Sequence, residues 1–333
     1  MVAEHGVLRV RFTSDDLLRT RMLPAPDPMW ELVLSLRALR STGRLDEHTA
    51  WRRGVAGKLR GTDGARLAQV GSLLGELVPP TGNYPDFLTP QPLGMDVSTG
   101  LDAVRGTARY RLRADLDPDR LRRADRPLCR RLRDGDRDGM RELVTALRGY
   151  HDRALAPHWP EVLRCVDADR VLRLTETCGA GLDAMLGGLG GTIRWQWPYL
   201  TSVYPVNHTI DLGGRGLTLI PSYFCARAVT LIDPDLTPVL VYPARRVEVS
   251  RAEVERALHR LAPLMGATRA RIMVSLGSAP STSELAESIG MSIASASQQV
   301  AVLRDAGLAV SKRDGRSVRH TLSSAGRTIL EGP

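Results

Sequence analysis

Two serine caps and two glycine stops near the C-terminus constrain this chain more than any other feature. Ser281, Thr282 and Ser283 precede a short apolar-periodic run, 284–289, that Gly290 closes. Ser292 opens a longer run to about Ala306, closed by Gly307. A side-chain oxygen at the N-cap satisfies an orphan N–H of the first turn, and glycine beyond the last turn takes a left-handed conformation without steric cost, so both runs are predicted as helices. Segments 308–312 and 317–322 then flank Asp314-Gly315, the strongest two-residue hairpin signal. Upstream, 250–264 places Val254, Leu258, Leu261 and Leu264 on one helical face, and 268–276 follows Gly266 as another helix. Leu285, Ile289, Val300, Leu303 and Leu308 are the expected core of this region.

Helix, tight glycine turn, capped helix and basic hairpin follow one another in the order of a winged helix-turn-helix. The run SELAESIGMSIASASQQVAVLRDAGLAVSKRDGRSVRHTLSSAG resembles the DNA-binding core of the ArsR family of bacterial repressors. Glu284-Leu285-Ala286, Ser297, Val302-Leu303-Arg304, Ala306-Gly307-Leu308 and the hairpin Lys312-Arg313-Asp314-Gly315-Arg316 carry the resemblance, which covers about residues 251–330. Gln299 stands where that family usually has His. The resemblance implies double-stranded DNA as partner, a homodimer reading two half-sites, and a regulator of transcription acting as a repressor. A recognition helix starting at Ser292 would turn Ser292, Ile293, Ser295, Ser297, Gln298 and Gln299 toward the major groove, since Gln pairs with adenine and apolar side chains meet thymine methyls. Lys312, Arg313, Arg316 and Arg319 on the hairpin would grip phosphates. Metal sensing, common in that family, is not expected: SELAES holds neither Cys nor His, and a metal site needs three or four converging ligands.

Whole-chain charge adds little. The formal charge is +9, but 44 of the 46 basic residues are Arg, a bias of GC-rich coding rather than of function. Residues 109–148 hold 13 Arg against eight acids; solvated helices laced with Arg–Asp pairs account for this better than an accessory DNA stripe. No run approaches a membrane span and no signal peptide is read at the N-terminus, so a cytoplasmic, nucleoid-associated protein is expected. Four scattered cysteines make no disulfide framework; Cys165 and Cys178 are read as plain side chains rather than a thiol switch.

The expected fold class is α+β, mainly α. A helical N-terminal body fills 1–189, a small antiparallel sheet packed on it fills 190–245, and the winged helix-turn-helix fills 250–330. Within the body, 7–12 alternates as a strand, Ser14–Asp16 cap a helix, and 30–40 is helical. Helical spacing runs through 65–78 and, with interruptions, from 99 to 189. Strands are predicted at 192–197, 206–212, 217–221 and 237–242. This region resembles, more loosely, an uncharacterised domain found ahead of such motifs in actinobacterial regulators, through Met29-Trp30-Glu31-Leu32-Val33, His158-Trp159, Arg194-Trp195 and GLTLIPSYF at 216–224. Arg194, Trp195, Trp197, His208, Tyr223 and Phe224 are candidates for a small-molecule effector pocket, with core filling the alternative for most of the aromatics. No P-loop, nucleophile elbow, zincin motif or dinucleotide fingerprint is present, so no enzyme and no cofactor is expected. The alternative is an enzyme or protein-interaction module recruited to DNA by the winged helix.

Overall fold

The structure, a computed structural model, describes residues 6–40, 48–59, 71, 73–80, 82–118, 126–231, 233–245, 251–277, 280–314 and 317–331. It is a mixed α and β chain of two compact units, Met1–Arg245 and Arg246–Pro333.

Unit 1 opens on strand β1 (Gly6–Arg11) and helix α1 (Ser14–Arg19). The cap of α1 is Thr13, one residue before the expected Ser14. Asp16 at the third helical position closes a reciprocal capping box with it. After the two-residue β2 (Arg21–Met22) comes α2 (Pro28–Arg40), almost wholly buried. Asp27 caps it by accepting from the N–H groups of Met29 and Trp30. Then follow α3 (Thr49–Leu59), α4 (Val97–Arg105), α5 (Arg109–Asp115), α6 (Pro127–Asp134) and α7 (Arg137–Tyr150). The helical pattern expected over 65–78 falls partly outside the described residues; 73–77 are helical. A π turn and a 3-10 turn lead from α7 into α8 (Trp159–Gly187). Gly181, at φ 82°, interrupts α8 with a kink that a side chain would strain.

The β-region corrects the sequence expectation. Among the described residues of unit 1 there are two sheets, and only part of one is antiparallel. The first has the order β3 (Arg194–Gln196), β4 (Tyr199–Tyr204), β1, β5 (His208–Asp211). Here β4 runs antiparallel to both β3 and β1, while β1 and β5 are parallel. The second has the order β2, β6 (Thr218–Ser222), β7 (Val239–Pro243), all parallel. Strand β4 was missed at the sequence level, although Leu200, Ser202 and Tyr204 are its buried alternate positions. The buried runs 218–222 of β6 and 239–242 of β7 are what parallel strands require, because both faces are covered.

Buried acids tie the loops of unit 1 to these elements. Glu31, wholly buried on α2, accepts from Ser222 Oγ at 3.0 Å, Tyr223 N at 2.7 Å and Phe224 N at 3.1 Å. Asp169 on α8 accepts from Tyr242 Oη at 2.6 Å and Arg245 N at 2.9 Å and pairs with the equally buried Arg173 at 3.1 Å. Breaking such a buried pair by removing one partner leaves an uncompensated charge.

Unit 2 contains α9 (Arg251–Met265), α10 (Ala267–Leu276), α11 (Thr282–Ile289), α12 (Ile293–Asp305), the hairpin strands β8 (Ala309–Asp314) and β9 (Ser317–Leu322), and a final α13 (Ser324–Glu331) that the sequence pattern had not suggested. Its core joins Ile272, Met273 and Leu276 of α10 to Leu285, Ile289, Val300 and Leu303, with Leu308 packed against them. Of the expected α9 stripe Leu261 is buried and Leu258 half-buried, the Val254 side chain lies outside the described residues, and Leu264 departs at 78% exposed, while Ala257 is buried as well.

Burial pushes the Glu31 carboxyl up to about 7, even though the N–H groups of Tyr223 and Phe224 and the Ser222 hydroxyl pull the other way. A carboxyl raised above its unfolded value favours folding while protonated. That contribution is whole below pH about 4.5 and disappears as pH rises through about 7. Denaturant titrations of the full chain should therefore show unit 1 losing stability across this window. Glu31→Gln keeps one acceptor but turns an amide toward donors; it should cost about 1–3 kcal/mol at pH 5 and flatten the slope. An unchanged slope in the variant would assign the pH dependence to another group.

Candidate nucleic-acid interface

The caps of unit 2 form as the residue types dictate. Ser281 Oγ accepts from Glu284 N at 3.3 Å while Glu284 Oε2 accepts from Ser281 N at 2.8 Å, a complete capping box at the start of α11. Gly290 ends that helix in the left-handed region at φ 77°, and its N–H donates to the Ala286 and Glu287 carbonyls. Two residues later Ser292 caps α12, accepting from Ser295 N at 3.2 Å. The turn between the helices is thus held by its own backbone and caps.

Burial then sorts the side chains of α12. Ala296, Val300 and Leu303 face the core. Ser292, Ile293, Ala294, Ser297 and Gln298 are exposed over the first two turns, Ile293 at 56%, and Ser295 is half-buried. Gln299 is half-buried and its Oε1 accepts from Arg269 Nε of α10 at 3.0 Å. Of the expected contact residues on this helix, Gln299 is therefore engaged in packing α12 on α10, and Gln298 is the glutamine presented to solvent.

The hairpin sorts likewise. Register pairs Lys312 with Arg319, Arg313 with Val318 and Ser311 with His320. Arg313 is exposed; Lys312 is described in its backbone alone, and Arg316 lies outside the described residues. Arg319 is half-buried, with its guanidinium 3.6 Å from the Glu284 carboxylate of the capping box. Its part is to join hairpin and helix, which leaves Arg313 as the exposed cation among the described hairpin side chains.

One residue of this site was missed at the sequence level. His320 is buried, and its ring nitrogens bridge Thr282 Oγ1 at 2.8 Å and Ser311 Oγ at 2.9 Å. It thereby connects the first turn of α11 to both strands. His320 N–H donates to the Pro280 carbonyl at 3.0 Å, and an isolated bridge pairs Ser281 with Arg319, so the segment ahead of α11 adds to the edge of β9. A His outside any Cys or acidic cluster carried no signal of this role.

The candidate effector residues do not converge. Trp195 packs edge-on to Phe12 at 5.1 Å with its Nε1 donating to Asp183, in the core beneath the first sheet. His208 stacks near Tyr204, and burial lowers its pKa. Arg194 and Trp197 are exposed. Tyr223 and Phe224 belong to the other core, beside His48, Trp51 and His158, with His158 Nε2 3.0 Å from Tyr223 Oη. The six residues divide between two cores and the surface, so they do not line one pocket. A cleft of about 400 Å³ in unit 1 lies elsewhere, between Asp86, Gln91, Thr107, Arg111, Asp115 and Asp233.

Among the described residues there is no group of three or more His, Cys, Asp or Glu that could hold a metal ion. Cys165 is buried and Cys178 exposed on the same helix, thirteen residues and so roughly 20 Å apart, beyond disulfide reach. The described Arg residues of 109–148 include ion pairs of Arg131 with Asp136 and Glu142 and of Arg141 with Asp138, the pattern of solvated helix faces. No helix among the described residues is long and apolar enough to cross a membrane. No protein-family model matches the chain, and neither a curated protein nor a solved structure matches it.

Burial, with Arg304 nearby, lowers the His320 pKa below its ordinary value. A depressed His favours the folded state while neutral, so its contribution is whole above pH about 6.5 and fades as pH falls below that. His320→Ala should strand the Thr282 and Ser311 hydroxyls, cost unit 2 about 1–3 kcal/mol at pH 7.5, and remove the acid-side loss. Thermal melts at pH 5.5 and 7.5 measure both; equal melting shifts in parent and variant would refute the pH assignment.

Proposed function

We propose that this protein is a sequence-specific DNA-binding regulator of transcription, and that unit 2 is a winged helix-turn-helix of the ArsR kind. The observation that carries the reading is the exposed first two turns of α12. They open on a serine cap, follow a capped helix across a two-residue glycine turn, and stand on a core shared with the β8–β9 hairpin that presents Arg313. The N-terminus of such a helix offers unpaired N–H groups and a positive dipole to phosphate, while Ser297 and Gln298 offer the polar atoms that base edges require.

In this reading Ser292, Ile293, Ala294, Ser297 and Gln298 face the bases, and Arg313, with Lys312 and Arg316, grips the backbone. Gln299 and Arg319 act through structure: each fixes an element that carries a contact residue. The protein works as a homodimer, because a single short recognition helix reads too few base pairs for a specific site and two half-sites about one helical turn apart supply the rest. It represses by occupying DNA near its target promoters, in the cytoplasm at the nucleoid. Unit 1 supplies regulation or dimerisation rather than catalysis.

Electrophoretic shift on duplex from the protein's own promoter region, followed by selection from random duplexes, tests the proposal. The expected result is one enriched, two-fold symmetric motif. Gln298→Ala should lose about 1–3 kcal/mol at a single base position and little elsewhere. Arg313→Ala should weaken every duplex alike and reduce the salt slope by about one unit. No duplex bound at low salt by folded protein would overturn the reading, and identical behaviour of the two variants would overturn the division between helix and hairpin.

A further inference from the structure

The first sheet of unit 1 has one face on the core and one face open. Along β1, Leu8, Val10 and the following Phe12 are buried while Val7, Arg9 and Arg11 are exposed. Strand register continues this open face across the sheet. Val7 lies opposite Val203, Arg9 opposite Thr201 and Arg11 opposite Tyr199 on β4. Arg194 also lies opposite Thr201, and Gln196 opposite Tyr199, from the β3 side; Thr209 and Asp211 complete it on β5. Cross-strand neighbours share a face, so three arginines, Arg9, Arg11 and Arg194, meet there with a single acid, Asp211.

Their surroundings leave this charge available. Arg11 and Asp211 are 3.8 Å apart and both more than 60% exposed, a pair worth little in water. Arg194 donates to the Gly191 and Ile193 carbonyls, which hold its stem on the surface without neutralising it. The Arg9 guanidinium sits 5.7 Å from the centre of the Tyr199 ring. Tyr199 is 38% exposed. In a chain with only 5% aromatic residues, an open ring among three arginines on one sheet face is not filler.

We propose that this open face binds a single-stranded nucleic-acid segment, with Arg9, Arg11 and Arg194 on its phosphates and Tyr199 stacking a base. Excess positive charge selects a polyanion and opposes a second copy of the same face, which would bring arginine against arginine under two-fold symmetry. An open ring selects an unpaired base, because stacking on a side chain needs a base that has left a duplex. The surface is separate from the duplex-reading helix of unit 2 and does not depend on that reading.

Fluorescence anisotropy of the full chain with a labelled twelve-nucleotide oligothymidylate tests it. The parent should bind, with affinity falling as salt rises. The variant Arg9→Ala/Arg11→Ala/Arg194→Ala should bind about ten-fold or more weakly and lower the salt slope by about two, since each phosphate released from a single strand contributes about 0.7. Tyr199→Ala should weaken binding about ten-fold with the salt slope unchanged. Arg105→Ala/Arg141→Ala, which removes exposed charges elsewhere in unit 1, and Arg313→Ala in unit 2 should leave it unaltered. Absence of parent binding, equal loss in the control variants, or loss through Arg313→Ala instead of the sheet variants would overturn the proposal. So would a change of oligomeric state by Tyr199→Ala in sedimentation with oligonucleotide affinity intact. All these side chains are exposed, so matched circular dichroism and melting curves secure the comparison.

Discussion

Backbone N–H groups buried in loops have no ladder to join, and unit 1 satisfies them with carboxylates. Asp16 accepts from Gly216, 200 residues away; Asp27 accepts from Gly94 as well as capping α2; Glu31 accepts from Tyr223 and Phe224; Asp169 accepts from Arg245. Each acid stands on or at the end of a regular element and each donor lies in irregular chain. A buried N–H left unpaired costs about 1–3 kcal/mol, and a bond to a charged acceptor returns about 1.5–3. The cost of burying four acids is thereby offset by fixing four distant segments. At Asp16 the donors Gly216 and Thr13 hold the carboxyl below its usual range in spite of burial, whereas at Glu31 complete burial prevails.

These clamps place the first strand of the chain. β1 lies between β4 and β5, and Val7 N donates to Asn207 Oδ1 across 200 residues. The N-terminal strand thus completes a sheet whose other members come late in the chain, and the 190–245 region is no module of its own. The closure also creates the open face: with β1 in the centre, its outward arginines are flanked by Tyr199 on one side and Asp211 on the other. A one-residue slip would bury Arg9 and expose Leu8.

Unit 2 follows a different economy. Its elements are short, locally capped and contiguous, and its links are side chains that tie neighbours: Gln299 to Arg269, Glu284 to Arg319, His320 to Thr282 and Ser311. Two residues that residue type assigns to DNA, Gln299 and Arg319, are thereby committed to holding one element of unit 2 on another. What remains exposed on α12 and β8 is a smaller set than residue type suggests, and the proposed DNA contact is correspondingly concentrated on Ser297, Gln298 and Arg313.

Local chemistry was legible in the amino-acid sequence. The Ser281 and Ser292 caps, the Gly290 turn, the antiparallel pairing of β8 with β9 and the core positions Leu285, Ile289, Val300 and Leu303 all depend on residues close to one another in the chain, where propensity and capping dominate. The alternation of 7–12 marked a strand for the same reason. Pairing was not legible. That β1 enters beside β4 and β5, that β6 and β7 run parallel, and that Tyr223 and Phe224 leave Trp195 and Trp197 for another core are decided by contacts some 20 to 200 residues apart, which leave no local trace. Nor could residue type separate Gln298 from Gln299, or Arg313 from Arg319. Within each pair the two share a charge and a size, and only the packing of α12 on α10 and of β9 beside α11 determines which side chain is half-buried against a neighbouring element and which is exposed.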